Sequence, residues 1–223
     1  MIMGVIDFPP SEFDQWAPGY DESVYGCHGF PFERYNDLLE LVVDFVNPRK
    51  GIKVLDLGTG TGNLAEKLVD HGCEVIGTDF SPAMLEIARR KVPKAKFFLH
   101  DVREPLSSKL MRKYDVITMV YLLHHFPVDE KIRIINGLLM HLMPNGEILI
   151  ADIMFTNRRH RETVSDEYKD DWEVEYYWEI DKDDIKFKEA GIRLEYHRLS
   201  NYLGIIRINK QSFFSSKNSS KIF

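Results

Sequence analysis

Two periodicities divide this chain. Between residues 33 and 46, Leu38, Leu39, Leu41, Val42, Phe45 and Val46 recur at helical spacing, and Asn47-Pro48 ends the run. Beyond it, short β-branched or aromatic runs occupy 53–57, 74–78, 95–100, 114–120 and 146–151. Helical patterns separate them at 62–71, 82–92, 106–112 and 129–142. Strand and helix in alternation predict a parallel sheet with helices on both faces. Gly72, Pro93, Pro127 and Pro144-Asn145-Gly146 stand where helices or loops should end.

Both ends depart from that rhythm. Residues 1–32 are rich in Pro, Gly and aromatics, which predicts a loop-rich lead-in with short helical turns at best. Past Asp152, residues 165–180 mix acids with Tyr168, Trp172, Tyr176, Tyr177 and Trp178. The bland reading of such a run is a solvated surface with buried rings. The functional reading is the wall of a pocket. A helix over 184–190 should stop at Gly191, and 192–200 with 202–209 read as an antiparallel hairpin turning at Asn201. That hairpin would close one edge of an α/β, seven-stranded, mostly parallel sheet. The expected organisation is an N-terminal lid and helix (1–50), a main domain (51–211) and a Ser/Lys-rich mobile tail (212–223).

Composition narrows the function classes. A chain of 223 residues suits one core, and a formal charge of −6 offers no global positive field to a polyanion, so nucleic acid is an unlikely partner. Two cysteines, Cys27 and Cys73, have no metal or redox spacing, which fits a reducing cytoplasm. The N-terminus lacks a basic start followed by an apolar core, and no window approaches the roughly 20 apolar residues of a membrane span. A soluble, cytoplasmic protein is expected, with no membrane partner and an oligomeric state the sequence leaves open.

The candidate chemistry lies in VLDLGTGTGNLAEKL, residues 54–68. Glycines in a strand-turn-helix unit permit positive φ and let a ligand lie against bare backbone, while the helix N-terminus offers free N–H donors. Gly58, Gly60 and Gly62 occupy every second position, with Asp56 two residues before the first. That spacing differs from the G-x-G-x-x-G of dinucleotide-binding oxidoreductases.

Asp56-x-Gly58-x-Gly60-x-Gly62 resembles the first motif of class I S-adenosylmethionine (SAM) dependent methyltransferases. Later segments match the same family in order: VIGTDFSPAMLEIARRK after the second strand, FFLHDVRE at the third, YDVITMVYLLHHF at the fourth and LMPNGEILIADI into the fifth. The terminal hairpin matches the family's reversed last strand. FDQWAPGYDESVYG looks like the start of the YrrT-like methyltransferases, within the methyltransferase type 11 class.

The resemblance implies a Rossmann-like fold, SAM as cofactor and a set of binding residues. Asp56, Gly58, Thr59 and Gly60 belong to the cradle, and Asp79 is placed to accept the ribose hydroxyls. Phe80 and Met84 would cover the adenine, although side chains at that helical offset are ordinarily core. Asp101 would accept from the adenine amino group, with Val102 beside it, and Tyr20, with Trp16 and Tyr25 nearby, would fold over the methionine end of SAM. Asp79 also reads as an N-cap, but Ser81 is the better placed cap, which leaves Asp79 free for the ribose.

His124 and His125 invite a metal or acid/base reading. Adjacent residues at a strand end should point in different directions, and no carboxylate has matching ligand spacing, so no metal is expected. One histidine would then begin the helix near Asp129, and His124 is the candidate to face a methyl acceptor. Direct in-line displacement from a sulfonium needs positioning, water exclusion and at most one proton transfer. The fourth strand carries neither N/D-P-P-Y/F nor a cysteine nucleophile, and a basic stripe is absent, so a small-molecule acceptor is the expected substrate. A SAM-binding module without chemistry and a nicotinamide-dependent oxidoreductase are the alternatives.

Overall fold

The chain begins with more helix than the short turns that its prolines and glycines predicted. In the computed structural model, which describes residues 9–210, α1 (Pro10–Trp16), a 3-10 turn over Ala17–Gly19 and α2 (Tyr20–Gly26) run in succession. No side chain caps either helix. Tertiary contacts anchor them: Asp14 accepts from Ser81 Oγ at 2.5 Å and from the Ala83 N–H at 3.1 Å, and Asp21 accepts from Thr61 Oγ1 at 2.5 Å. Local breaker residues are overridden by partners more than thirty positions away.

The remainder alternates. α3 (Tyr35–Val46) precedes β1 (Lys53–Leu57), α4 (Asn63–Asp70), β2 (Glu74–Asp79), α5 (Pro82–Lys91) and β3 (Lys96–Leu99). β4 (Tyr114–Val120), α6 (Val128–Leu139), β5 (Leu142–Phe155) and α7 (Arg158–Glu167) follow, then β6 (Trp178–Glu179), α8 (Ile180–Glu189), β7 (Glu195–Arg198) and β8 (Leu203–Asn209). Ser81 caps α5 as expected, its Oγ accepting from the Met84 N–H at 3.1 Å, with Pro82 in the first turn.

The sheet runs β3-β2-β1-β4-β5-β8-β7, with the two-residue β6 beside β5. β1 to β5 pair in parallel, whereas β8 is antiparallel to both β5 and β7. This is the expected Rossmann-like sheet with its reversed hairpin at one edge. Strand alternation divides the core: Val54, Leu149, Ala151 and Ile153 face the side of α3, α4 and α5. Leu55, Leu57, Ile148 and Ile150 face Ile135, Leu138 and Phe187 of α6 and α8. Each fully buried leucine, such as Leu38 or Leu68, contributes about 2 kcal/mol by leaving water.

Two further elements differ from expectation. Residues 106–112 form a single turn rather than a helix; Leu110 is buried and its carbonyl accepts from Tyr114 Oη at 2.9 Å. α7 was not anticipated, and it starts where Asn157 Oδ1 accepts from the His160 N–H at 2.9 Å. The segment 168–177 after it is irregular, and Trp172 stacks on Phe30 with ring centroids 5.1 Å apart. Among the described residues no helix is long and apolar enough to cross a membrane. The expected mobile tail, 212–223, lies outside the described residues.

Candidate active site

The loops at the C-terminal ends of β1, β2, β3 and β4 converge on a cavity of about 310 Å³, where ligands of open α/β sheets bind. Gly58, Gly60, Asp79, Phe80, Met84, Asp101, Val102 and Tyr20 all line it. Gly60 has φ 54°, and a Cβ built there would find only the Tyr20 ring, at 3.9 Å. That bare backbone faces the cavity. Gly62, with φ 86°, serves packing instead, since its Cβ would stand 3.2 Å from the Ala88 Cβ on α5.

Asp79 ties the floor together. Its Oδ2 accepts from the Gly60 N–H and its Oδ1 from the Ser81 N–H, each at 2.9 Å. Burial drives its carboxyl up to about 6, although those N–H groups favour the ionised form. Each oxygen keeps a second lone pair for a hydroxyl donor. Asp79 therefore accepts from the loop and also borders the cavity.

Asp56 and Thr59, both expected in the cradle, are buried and do not line this cavity. Asp56 accepts from Thr59 Oγ1 at 2.6 Å and Thr118 Oγ1 at 2.7 Å, which fastens the loop to β4. Burial likewise raises Asp56 to about 6. Asp101 borders the cavity but is held by Arg103, whose Nη2 lies 2.6 Å from Oδ2 and whose N–H donates to Oδ1 at 2.9 Å. Burial alone would raise this carboxyl, and Arg103 holds it below its ordinary value. Any further donor reaching Asp101 from the cavity would share it with a guanidinium.

A second cavity, about 510 Å³, opens beside the first, and Phe13, Tyr20, Tyr121 and His125 line both. His124 lines only the second. Both histidines lie on or beside a 3-10 turn, Leu123–His125, with ring centroids 4.1 Å apart. They therefore border one space, contrary to the expectation of diverging rings, and neither begins α6, whose N-cap is Pro127. Residues 171, 173, 175 and 177 form part of the wall.

The sequence reading missed Asp152. It is fully buried on β5, with Oδ1 2.5 Å from His124 Nδ1, and Oδ2 accepting from the His124 N–H at 3.0 Å and Trp178 Nε1 at 3.2 Å. Burial would raise this carboxyl, but the His124 imidazole and the Lys131 ammonium keep it low. An ionised Asp152 fixes the proton of His124 on Nδ1 and leaves Nε2 as the basic nitrogen. An acid inside the apolar run ILIADI was the available signal. Tyr121 was missed too: it takes φ 49°, a left-handed conformation for a bulky residue, and its Oη donates to the Pro31 carbonyl at 2.9 Å.

Comparison with known proteins agrees with this architecture. A family model described as a methyltransferase domain matches residues 54–146. A methyltransferase of Alkaliphilus oremlandii is 32% identical over 89% of this chain and 95% of its own length. One of Bacillus cereus is 33% identical over 89% and 96%. Among solved structures, the DhpI-SAM-HEP complex superposes with a TM-score of 0.72 at 17% identity, covering 93% of this chain and 99% of that one. Magnesium protoporphyrin IX methyltransferase from Synechocystis PCC 6803, with bound S-adenosylhomocysteine (SAH), gives 0.67 at 18% identity, covering 90% and 99%.

Proposed function

Since the chain belongs to the class I methyltransferase family, we propose that it binds SAM in the first cavity and methylates a small molecule held in the second. The observation that carries this reading is Asp79, a buried carboxylate at the cavity floor that joins the cofactor loop through Gly60 and still offers lone pairs to a ribose. The donor set fits the cofactor. Phe80, Met84 and Val102 supply apolar surface for the adenine, Asp101 an acceptor at its edge, and Gly58 and Gly60 bare backbone. Burial pushes the Tyr20 hydroxyl well above its ordinary value, with Asp79 adding to the effect, so it stays a donor over the shared wall of the two cavities.

When bound, SAM would supply a methyl group already activated by its sulfonium, to which an acceptor's lone pair would bond in line as the electron pair of the S–C bond leaves with sulfur. The protein's own task is positioning, desolvation and one proton. His124 takes that proton on Nε2, because Asp152 holds Nδ1. Tyr121 and the N-terminal helices exclude water from the junction. Asp56 and Thr59 act by keeping the glycine loop in shape.

A calorimetric titration with SAM, SAH and NAD side by side tests the cofactor assignment. Binding of SAM and SAH without NAD is the expected result; binding of NAD alone would reassign the site to hydride chemistry. Incubation with labelled SAM and a metabolite panel then separates an enzyme from a module that retains SAM without transferring from it.

A further inference from the structure

The walls of the second cavity are of two kinds. Phe13, Trp16, Phe30, Phe32, Tyr121 and Tyr177 present aromatic surface, and Asp171, Glu173 and Glu175 present carboxylates. No lysine or arginine lines it among the described residues. Two of those acids, Asp171 and Glu173, lie at an exposed rim. Glu175 does not: its side chain is 4% exposed, Oε1 lies 3.3 Å from His125 Nδ1, and Oε2 is buried without a hydrogen-bond partner. A carboxylate oxygen left unpaired in such a place costs about 1–3 kcal/mol or more unless something donates to it.

We infer that the acceptor carries a protonatable nitrogen, an amine or basic nitrogen heterocycle, and that Glu175 and the aromatic wall select it over neutral and anionic analogues. The inference rests on the methyltransferase reading and names its substrate class. A cationic nitrogen in the cavity that Glu175 lines would give Oε2, on a small turn of the carboxylate, the donor it lacks, and it is attracted to aromatic faces. Carboxylate or phosphate acceptors meet three like charges and no compensating cation. His124 completes the arrangement. An ammonium gives one proton to His124 Nε2 and so gains the lone pair that forms the new N–C bond; the electron pair of the broken S–C bond stays on sulfur, and the positive charge returns to nitrogen.

The test uses the whole chain at pH 7.5 with three probes of one shape: 2-phenylethylamine, 2-phenylethanol and 3-phenylpropanoate. Affinities are read with and without saturating SAH. The amine should bind at least about tenfold tighter than the alcohol, the propanoate weakest. Glu175→Gln should bring the amine within about threefold of the alcohol while leaving SAH affinity unchanged. The rim variant Asp171→Asn/Glu173→Gln, on exposed positions, should lower the preference more modestly and guards against a folding defect at Glu175.

An amine that binds no tighter than the alcohol, including failure of all three probes, overturns the inference. So does a preference that survives both variants. Weaker binding of SAM but not SAH in Glu175→Gln, with the amine preference intact, would instead assign that carboxylate to the sulfonium. Failure of SAH to bind strikes the cofactor reading, while the comparison on the unliganded chain still decides this one.

Discussion

His124 Nδ1 lies 2.5 Å from Oδ1 of Asp152, a carboxylate with no exposure to solvent. In the proposed mechanism the pair makes a histidine of the 3-10 turn Leu123–His125 an oriented base. Asp152→Asn preserves shape but removes the charge that fixes the tautomer. Methyl transfer should fall by roughly 10²–10⁴-fold while SAH affinity stays within about twofold. Single-turnover rates beside SAH titrations check this, and an unimpaired rate would show that the acceptor needs no base.

Asp79 should impose a pH dependence on cofactor affinity. Its carboxyl is raised from 3.8 to about 6, and ribose hydroxyls donate to the ionised form, so SAH affinity should increase as pH rises through about 6 and then level. At pH 5 it should be about tenfold weaker than at pH 7.5. Asp79→Asn should flatten the profile, and Asp79→Ala should cost on the order of 1.5 to 3 kcal/mol.

The same shift bears on the unliganded fold with the opposite sense. A raised carboxyl contributes stability below its unfolded value, and that contribution is lost as pH rises through the folded value. Asp56 and Asp79 should therefore make the unliganded chain progressively less stable between about pH 4 and 6, relative to a double Asn variant. Thermal denaturation across that range, with and without SAH, reads the effect.

Gly60→Ala separates fold from binding. Its φ of 54° is disfavoured for alanine, which should lower stability by about 1 kcal/mol. A new methyl between the loop and Tyr20 should reduce SAH affinity far more, by at least about tenfold. Equal losses in both measurements would mean that the loop does not meet the cofactor.

The N-terminal cover hangs on Asp21, which pairs with Lys91 Nζ at 2.5 Å and accepts from Thr61 and Asn63. Asp21→Ala should loosen residues 9–26. Hydrogen exchange over this segment should speed up by roughly an order of magnitude, with the sheet unaffected. Undisturbed protection would place the anchoring elsewhere, on Asp14 and Ser81.

The parallel half was readable because strands buried on both faces are written as apolar runs: β1 and β4 lie at the residues expected, and the glycine spacing located the cavity. What escaped was non-local. α1 and α2 are held by Ser81, Ala83, Thr61 and Lys91, so Pro18 and Gly19 misled a local reading. Asp152 is separated from His124 by 28 positions, and no periodicity joins them. In the same way, Asp101 looked available because its pairing with Arg103 depends on side-chain conformation.

The most direct measurement is a crystal structure of the chain grown with SAH. The ribose hydroxyls should lie within hydrogen-bonding distance of Asp79, the adenine against Phe80 and Met84, and the sulfur should point toward the cavity that His124 lines. SAH lying elsewhere, or a groove closed by the protein's own side chains under saturating ligand, would contradict this placement.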